Sequence, residues 1–284
     1  MNPFHIEKPQ TVRASVGETF IHPSAIIHPS AILESGVEIG PFSVIGAGVK
    51  IGAKTWIGSH AVVEHAFIGS ACQIHSHAFV GTAPQDLKYR GEATRIVIGD
   101  GTIIRECATL NRGTAQSGQT VIGKKCLFMA YSHVAHDCII DDEVILANSV
   151  AVAGHVRIGT GTVVGGLSGI HQFVSVGRLV MIAAGSMVAL DVPPFCVASG
   201  DRAKLSGLNL EGMRRRHLAK SSVEELKKIY RKIFLSKKPM QQIWPALPQT
   251  LSEESKDFVQ FIQNSKRGVC RPRKVSESGA SDVW

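Results

Sequence analysis

A period of six residues runs through most of the chain and limits its fold more than any other feature. From Ile122 the sequence steps through Phe128, Val134, Ile140, Leu146, Val152, Ile158, Val164, Ile170, Val176, Ile182 and Val188, all large and apolar. The same comb runs earlier through Ile21, Ile27, Leu33, Ile39, Ile45, Ile51, Ile57 and Val63. It then drops one residue and resumes at Ile68, Ile74 and Val80, and again at Ile98, Ile104 and Leu110. Neither the 3.6 spacing of a helix nor the two-residue alternation of an ordinary strand gives such a comb. A parallel β-helix does: each hexapeptide supplies one short strand and a corner, and three close a triangular coil of about 18 residues. Small residues often follow the apolar station (Ala135, Ala147, Ala153, Gly159, Gly165, Gly177, Ala183, Ala189), which suits a tight corner. The expected architecture is mainly β, a parallel β-helix of hexapeptide repeats over residues 21–195.

The comb lapses twice. Its stations fall on Asp86 and Glu92 in one stretch and on Gln116 in another. Polar stations do not line a dry core without partners, so both stretches, near 82–97 and 112–120, read as loops leaving the coil. After Asp191-Val-Pro-Pro the period ends. Ser222 and Glu225 form a capping-box pattern, and Val223, Leu226, Tyr230, Ile233 and Phe234 follow at helical spacing. A second helix is expected near 252–265. Residues 196–268 thus read as a C-terminal α-helical domain, 1–20 as an N-terminal segment and 269–284 as a tail.

Composition narrows the function classes. No apolar run approaches the ~18 residues that span a bilayer, and the N-terminus lacks a signal-type apolar segment, so a cytoplasmic location without stable membrane insertion is expected. The six cysteines form no CxxC pair and read as reduced, mostly buried thiols. The net charge of +8 is concentrated: residues 202–284 carry +10 and the remainder −2. A basic C-terminal third suits an anionic partner, whether a nucleotide, an acidic protein or a nucleic acid.

With about 18 residues per coil, residues 18 apart stack. Val134, Val152 and Ile170 form such a stack, which brings His136, His155 and His171 to one side of the prism, with His133 at the preceding corner. Three readings stay open for these imidazoles: ligands to a shared metal, a general base with its neighbours, or structural side chains at a subunit interface. The surroundings favour a base. Asp137 follows His136 and would hold its tautomer, provided the two are not on opposite faces of a regular strand. Gly154, one coil above, would offer a backbone N–H to an oxyanion. No motif activates a serine or cysteine, so direct attack by a bound nucleophile, without a covalent enzyme intermediate, is the simplest chemistry.

The segments QDLKY (85–89), IRECATLNRGT (104–114), SHVAHD (132–137), LANSVAVAGHV (146–156), GIHQF (169–173), DVPP (191–194) and NLEGMRRR (209–216) resemble the UDP-N-acetylglucosamine O-acyltransferases of the lipid A pathway. The similarity runs over about 21–268, loops included. It implies a homotrimer of left-handed β-helices with C-terminal helices, and no cofactor beyond the phosphopantetheine that the donor carries on acyl carrier protein. It implies transfer of a (3R)-3-hydroxyacyl group to the 3-hydroxyl of UDP-N-acetylglucosamine. By the same resemblance His136 is the base, Asp137 its partner and Gly154 the oxyanion donor. Asp86 and Lys88 would contact the sugar nucleotide, and His133, His155, His171 and Gln172 would line the cleft. Asn209, Glu211, Arg215 and Arg216 would grip the uridine diphosphate, and Ala184 would bear on acyl length. No metal and no nucleic acid enter this reading. The N-acyltransferases of the pathway resemble the chain less, since a sizeable domain precedes their repeats. Two rivals use the same fold: a zinc enzyme of the γ-carbonic anhydrase kind, which the staggered histidine offsets disfavour, and a non-catalytic scaffold with a basic nucleic-acid-binding domain.

Overall fold

The computed structural model describes residues 18–236 and 239–273; the expectations placed on residues 1–17 and 274–284 lie outside these. The hexapeptides form three parallel sheets of 11, 9 and 8 strands, and the chain visits each in turn. This is a left-handed parallel β-helix with three faces. Most strands are two residues long, as the comb requires: His133–Val134, Ile139–Ile140 and Ile145–Leu146 make up one coil. Register follows the eighteen-residue step, with His133 opposite Ala151 and Ala151 opposite Gly169.

The apolar stations fill the prism. Ile39, Ile57, Ile74, Leu110, Phe128, Val134, Leu146 and Val164 are fully buried. Several buried hydroxyls between them are satisfied along the coil axis: Thr55 Oγ1 donates to the Gly69 carbonyl (2.8 Å) and Thr162 Oγ1 to that of Gly177 (2.7 Å). Most corners place a residue at positive φ, and many of these are not glycine: Phe42, His60, Tyr131, Asp137, Ser149, His155 and Phe173 all lie near +60°. Such conformations are costly for L-residues and persist because stacked coils fix them from above and below.

The dropped residue after Val63 tightens one corner, at His65 (φ 43°), and the strand Ala66–Ile68 re-enters register with Lys50 opposite Phe67. The chain leaves the coil between Phe79–Thr82 and Arg95–Ile98, and again between Thr109–Asn111 and Gln119–Ile122. Both excursions keep the frame: Gln73 pairs with Ile103 and Ile98 with Ile122, displacements of whole hexapeptides.

The C-terminal region differs from expectation at three points. Residues after 195 do not begin with helix; the strand Cys196–Ser199 continues the 11-stranded sheet and turns back antiparallel on Lys204–Leu208. Helix α1 follows at Leu210–Arg215, its first turn capped by the Asn209 side chain, which accepts from Gly212 N. Helix α2 spans Lys220–Tyr230, starting ahead of Ser222, so the capping box does not form. Glu225 instead accepts from Ser252 N (3.0 Å) and Ser252 Oγ (3.1 Å), tying α2 to a distant helix start. After a π-helical turn (Arg231–Leu235) and the short α3 (Met240–Ile243), α4 runs over Glu253–Asn264 and packs Phe258 against Tyr230 and Phe234. The start of the expected tail is pinned: Cys270 is buried, its N–H donates to Asp191 O (2.8 Å), and Leu205 N donates to Arg271 O (3.1 Å). Among the described residues, all six cysteines are free and no helix is long and apolar enough to cross a membrane.

Candidate active site

The strand His133–Val134 ends at a corner where the chain turns from the nine-stranded to the eight-stranded sheet. Asp137 occupies the left-handed position of that corner, φ 60°. The turn removes the strand alternation that would have sent consecutive side chains to opposite faces. His136 Nδ1 therefore lies 2.8 Å from Asp137 Oδ2, with both side chains buried.

The carboxylate is surrounded by donors from the second excursion. Oδ2 accepts from Thr114 Oγ1 (2.7 Å), and Oδ1 accepts from Thr114 N (2.9 Å) and from Ser117 Oγ. Burial pushes the Asp137 carboxyl up, but the bonds from Ser117, Thr114 and His136 outweigh it and hold the value at about 2. An ionised carboxylate only accepts, so Nδ1 of His136 carries the proton and Nε2 is left as the acceptor. His136 lines a cleft of about 500 Å³ together with His133, Gly154, His171 and Gln172.

The next coil places Gly154 directly over the imidazole. A Cβ there would come within 2.6 Å of His136 Cε1 and 2.7 Å of Nε2, so no larger residue fits without moving the ring. Its N–H donates no hydrogen bond among the described residues. His155 stands over Asp137, with Nε2 3.7 Å from Oδ2; its ring is edge-on to His136 (centroids 5.0 Å) and stacked flat on Phe173 (4.5 Å). Burial lowers the His155 pKa, against the opposing pull of Asp137. Burial also lowers that of His133, aided by His136; its Nδ1 is 2.7 Å from Thr109 Oγ1. His171 is exposed, and its Nδ1 faces Arg267 Nη2 at 2.8 Å.

Asp86 and Lys88 sit on the first excursion, where Lys88 N donates to Asp86 Oδ1 (2.9 Å). The Asp86 charge acts on His155, and Gln85 lines the cleft, so this loop belongs to the same edge of the prism. Four residues do not. Asn209 donates to the Leu179 carbonyl (2.8 Å), Arg216 pairs with Glu143, and Glu211 binds Arg214 and Arg215 (2.8 and 2.7 Å), all along a different corner. Ala184 lies exposed at the third corner.

The stagger does not keep His136 and His155 apart: their ligand atoms and one of Asp137 fall within 4.8 Å of one another, while His171 stands outside this group, against Arg267. The set nevertheless does not fit a metal. Both Asp137 oxygens are committed to hydroxyl, amide and imidazole donors, and ligation would require breaking them. Thr114, Ser117, Arg112 and Arg267 were not singled out from the sequence. The first three lie in or beside a lapse of the comb, and Arg112 and Thr114 also fall within the segment 104–114 that carries the resemblance.

Comparison with known proteins bears on the family and the fold. A family model described as UDP-N-acetylglucosamine O-acyltransferase, domain 2, matches residues 191–270, and bacterial transferase hexapeptide repeats match 18–53 and 119–154. The acyl-[acyl-carrier-protein]–UDP-N-acetylglucosamine O-acyltransferase of Aliarcobacter butzleri is 46% identical over 257 residues, covering 89% of this chain and 99% of that protein. The UDP-N-acetylglucosamine O-acyltransferase structure from Moraxella catarrhalis superposes with a TM-score of 0.85 at 41% identity, covering 88% of this chain and 99% of that one. The UDP-N-acetylglucosamine acyltransferase from Campylobacter jejuni gives 0.84 at 39%, covering 90% and 100%. Relatedness at 46% identity over about nine-tenths of the length, with the same coiled fold, places the chain in the family of acyl-[acyl-carrier-protein]–UDP-N-acetylglucosamine O-acyltransferases.

Proposed function

We propose that the protein transfers a (3R)-3-hydroxyacyl group from acyl carrier protein to the 3-hydroxyl of UDP-N-acetylglucosamine, opening lipid A biosynthesis in the cytoplasm. The observation that carries the chemistry is the His136–Asp137 pair beneath Gly154. Nε2 of His136 takes the proton of the sugar hydroxyl as its oxygen attacks the thioester carbonyl. The N–H of Gly154 meets the oxyanion of the tetrahedral intermediate. Collapse expels the phosphopantetheine thiolate, which takes the proton back from His136. Asp137, held ionised by Thr114 and Ser117, stabilises the transient imidazolium.

His133, His155, His171 and Gln172 line the cleft beside the reacting atoms, and Asp86 and Lys88 hold the acceptor from the first loop. Asn209, Glu211, Arg215 and Arg216 take the uridine diphosphate, for which guanidinium groups are suited. They stand on a different corner of the same chain, so the acceptor is gripped between neighbouring chains of a homotrimer. Ala184 bears on acyl length, and the basic C-terminal third attracts the acidic carrier protein. Mass spectrometry of products from UDP-N-acetylglucosamine and a panel of acyl carrier thioesters is the direct test. A mono-acylated sugar nucleotide is the expected product, and His136→Ala should lower kcat at least ~10²-fold with the assembly intact. Unchanged turnover in that variant would remove the base assignment.

A further inference from the structure

One short segment, Asn111–Arg112–Gly113–Thr114, opens the second excursion from the coil and anchors the first. Asn111 Nδ2 donates to Ala83 O (3.0 Å) and Thr82 Oγ1 (3.2 Å), where the first loop departs. Arg112 is buried; its Nε donates to Tyr89 Oη (3.0 Å), its Nη1 to Gly81 O (2.9 Å), and its guanidinium lies over the Tyr89 ring and 3.7 Å from Glu64. Arg112 thus holds the loop that carries Asp86 and Lys88 at both its base and its middle. Two residues on, Thr114 gives Asp137 two hydrogen bonds. Gly113 joins them, its N–H donating to Arg95 O (3.1 Å) and its Cα so close to the returning strand that a Cβ would lie 2.4 Å from Gln119 N.

We infer that Arg112 and Thr114 are positioning residues with separate duties: Arg112 fixes the acceptor-binding loop, and Thr114 fixes the charge and direction of the carboxylate behind the base. The inference rests on the acyltransferase reading above. The two duties have different kinetic signatures. A loosened acceptor loop weakens ground-state and transition-state binding alike, which raises KM. A carboxylate with one fewer donor on Oδ2 is a stronger acceptor for the imidazolium, so the proton leaves His136 at higher pH and the acid limb of kcat/KM moves up. The charged and titratable groups facing His136 are Asp137, His155 and His133, with Asp86 acting through His155. None of these is altered by the substitutions below.

Steady-state kinetics of the full-length enzyme with UDP-N-acetylglucosamine and acyl carrier thioester, across pH, test this. Arg112→Met should raise the KM for UDP-N-acetylglucosamine at least ~10-fold with kcat within ~3-fold and the acid limb unmoved. Tyr89→Phe, which removes only the hydroxyl that Arg112 binds, should give a smaller rise of the same kind and covers a failure of the first variant to fold. Thr114→Val should lower kcat and raise the acid limb by roughly half a pH unit with little change in KM; Thr114→Ser should restore both. A fall in kcat without a KM change in the Arg112 and Tyr89 variants, or an unmoved acid limb in Thr114→Val, overturns the assignment. Absence of acyl transfer by the unmodified enzyme overturns the functional reading itself, an outcome visible before any variant is made.

Discussion

The site depends on close approaches that single residues permit. Gly154 is one of them, because its Cα packs on the imidazole ring. Gly154→Ala inserts a methyl group where the ring now sits, and a displacement on the order of 1 Å costs about 10²-fold in rate. Kinetics should show that loss with the melting temperature nearly unchanged. Asp137→Asn replaces an acceptor-only group by one that also donates, opposite Thr114, Ser117 and Nδ1–H of His136. It should lower kcat by at least ~10². Because the wild-type carboxyl lies at about 2, an acid limb nearer neutral pH in the wild-type rate profile would not come from Asp137. At this scale the sequence was partly legible. Residues 136, 155 and 154 could be stacked by counting, since 137 and 155 are one wrap apart. The contact between His136 and Asp137 could not be counted, because it exists only through the left-handed corner at Asp137. Thr114 and Ser117 were illegible for a related reason: a loop has no period from which to place its side chains.

Among the elements, the coil was the easiest to read and the helical region the hardest. Twelve consecutive apolar stations from Ile122 to Val188 became the inward residues of twelve strands. The hexapeptide period determines strand, corner and face together, so little was left for tertiary context to decide. Helix starts lack such redundancy. The Ser222–Glu225 pattern satisfies the local rule for a capping box, yet Glu225 is drawn across to Ser252, where it bridges α2 and the start of α4. Glu225→Ala leaves Ser252 N–H without that acceptor. Chemical denaturation should show a loss of about 1 kcal/mol, with α4 less protected from hydrogen exchange and the β-helix amides unaffected.

Acidity acts on the whole molecule through groups that folding shields, wholly or in part, from water. His65, His75, His133 and His155 all have lowered pKa values, burial being the main cause in each. Their unfolded counterparts titrate near ~6.5, so the stability of keeping them neutral is present above that pH and is lost as pH falls toward their folded values. Asp137 adds a second contribution, complete above ~3.9 and lost as pH falls toward its folded value. Calorimetry should therefore show the melting temperature declining below pH ~6.5 and steepening below ~4. His75→Phe, at a fully packed position beside Trp56, should flatten the first decline. The proposed assembly has its own measurement: sedimentation should return three times the 30.5 kDa chain mass.

The strict register between successive wraps carries a consequence for how such a chain can change over generations. A single added or lost codon within the regular wraps would rotate everything downstream onto the wrong face. Length variation is therefore quantised, tolerated in hexapeptide or whole-wrap steps, or at a corner that can close up, as at His65. The two excursions obey this rule, each having grown by complete hexapeptides. New recognition elements are accordingly expected at a few insertion points, while a length change inside the wraps that hold the histidine–aspartate corner would misplace it.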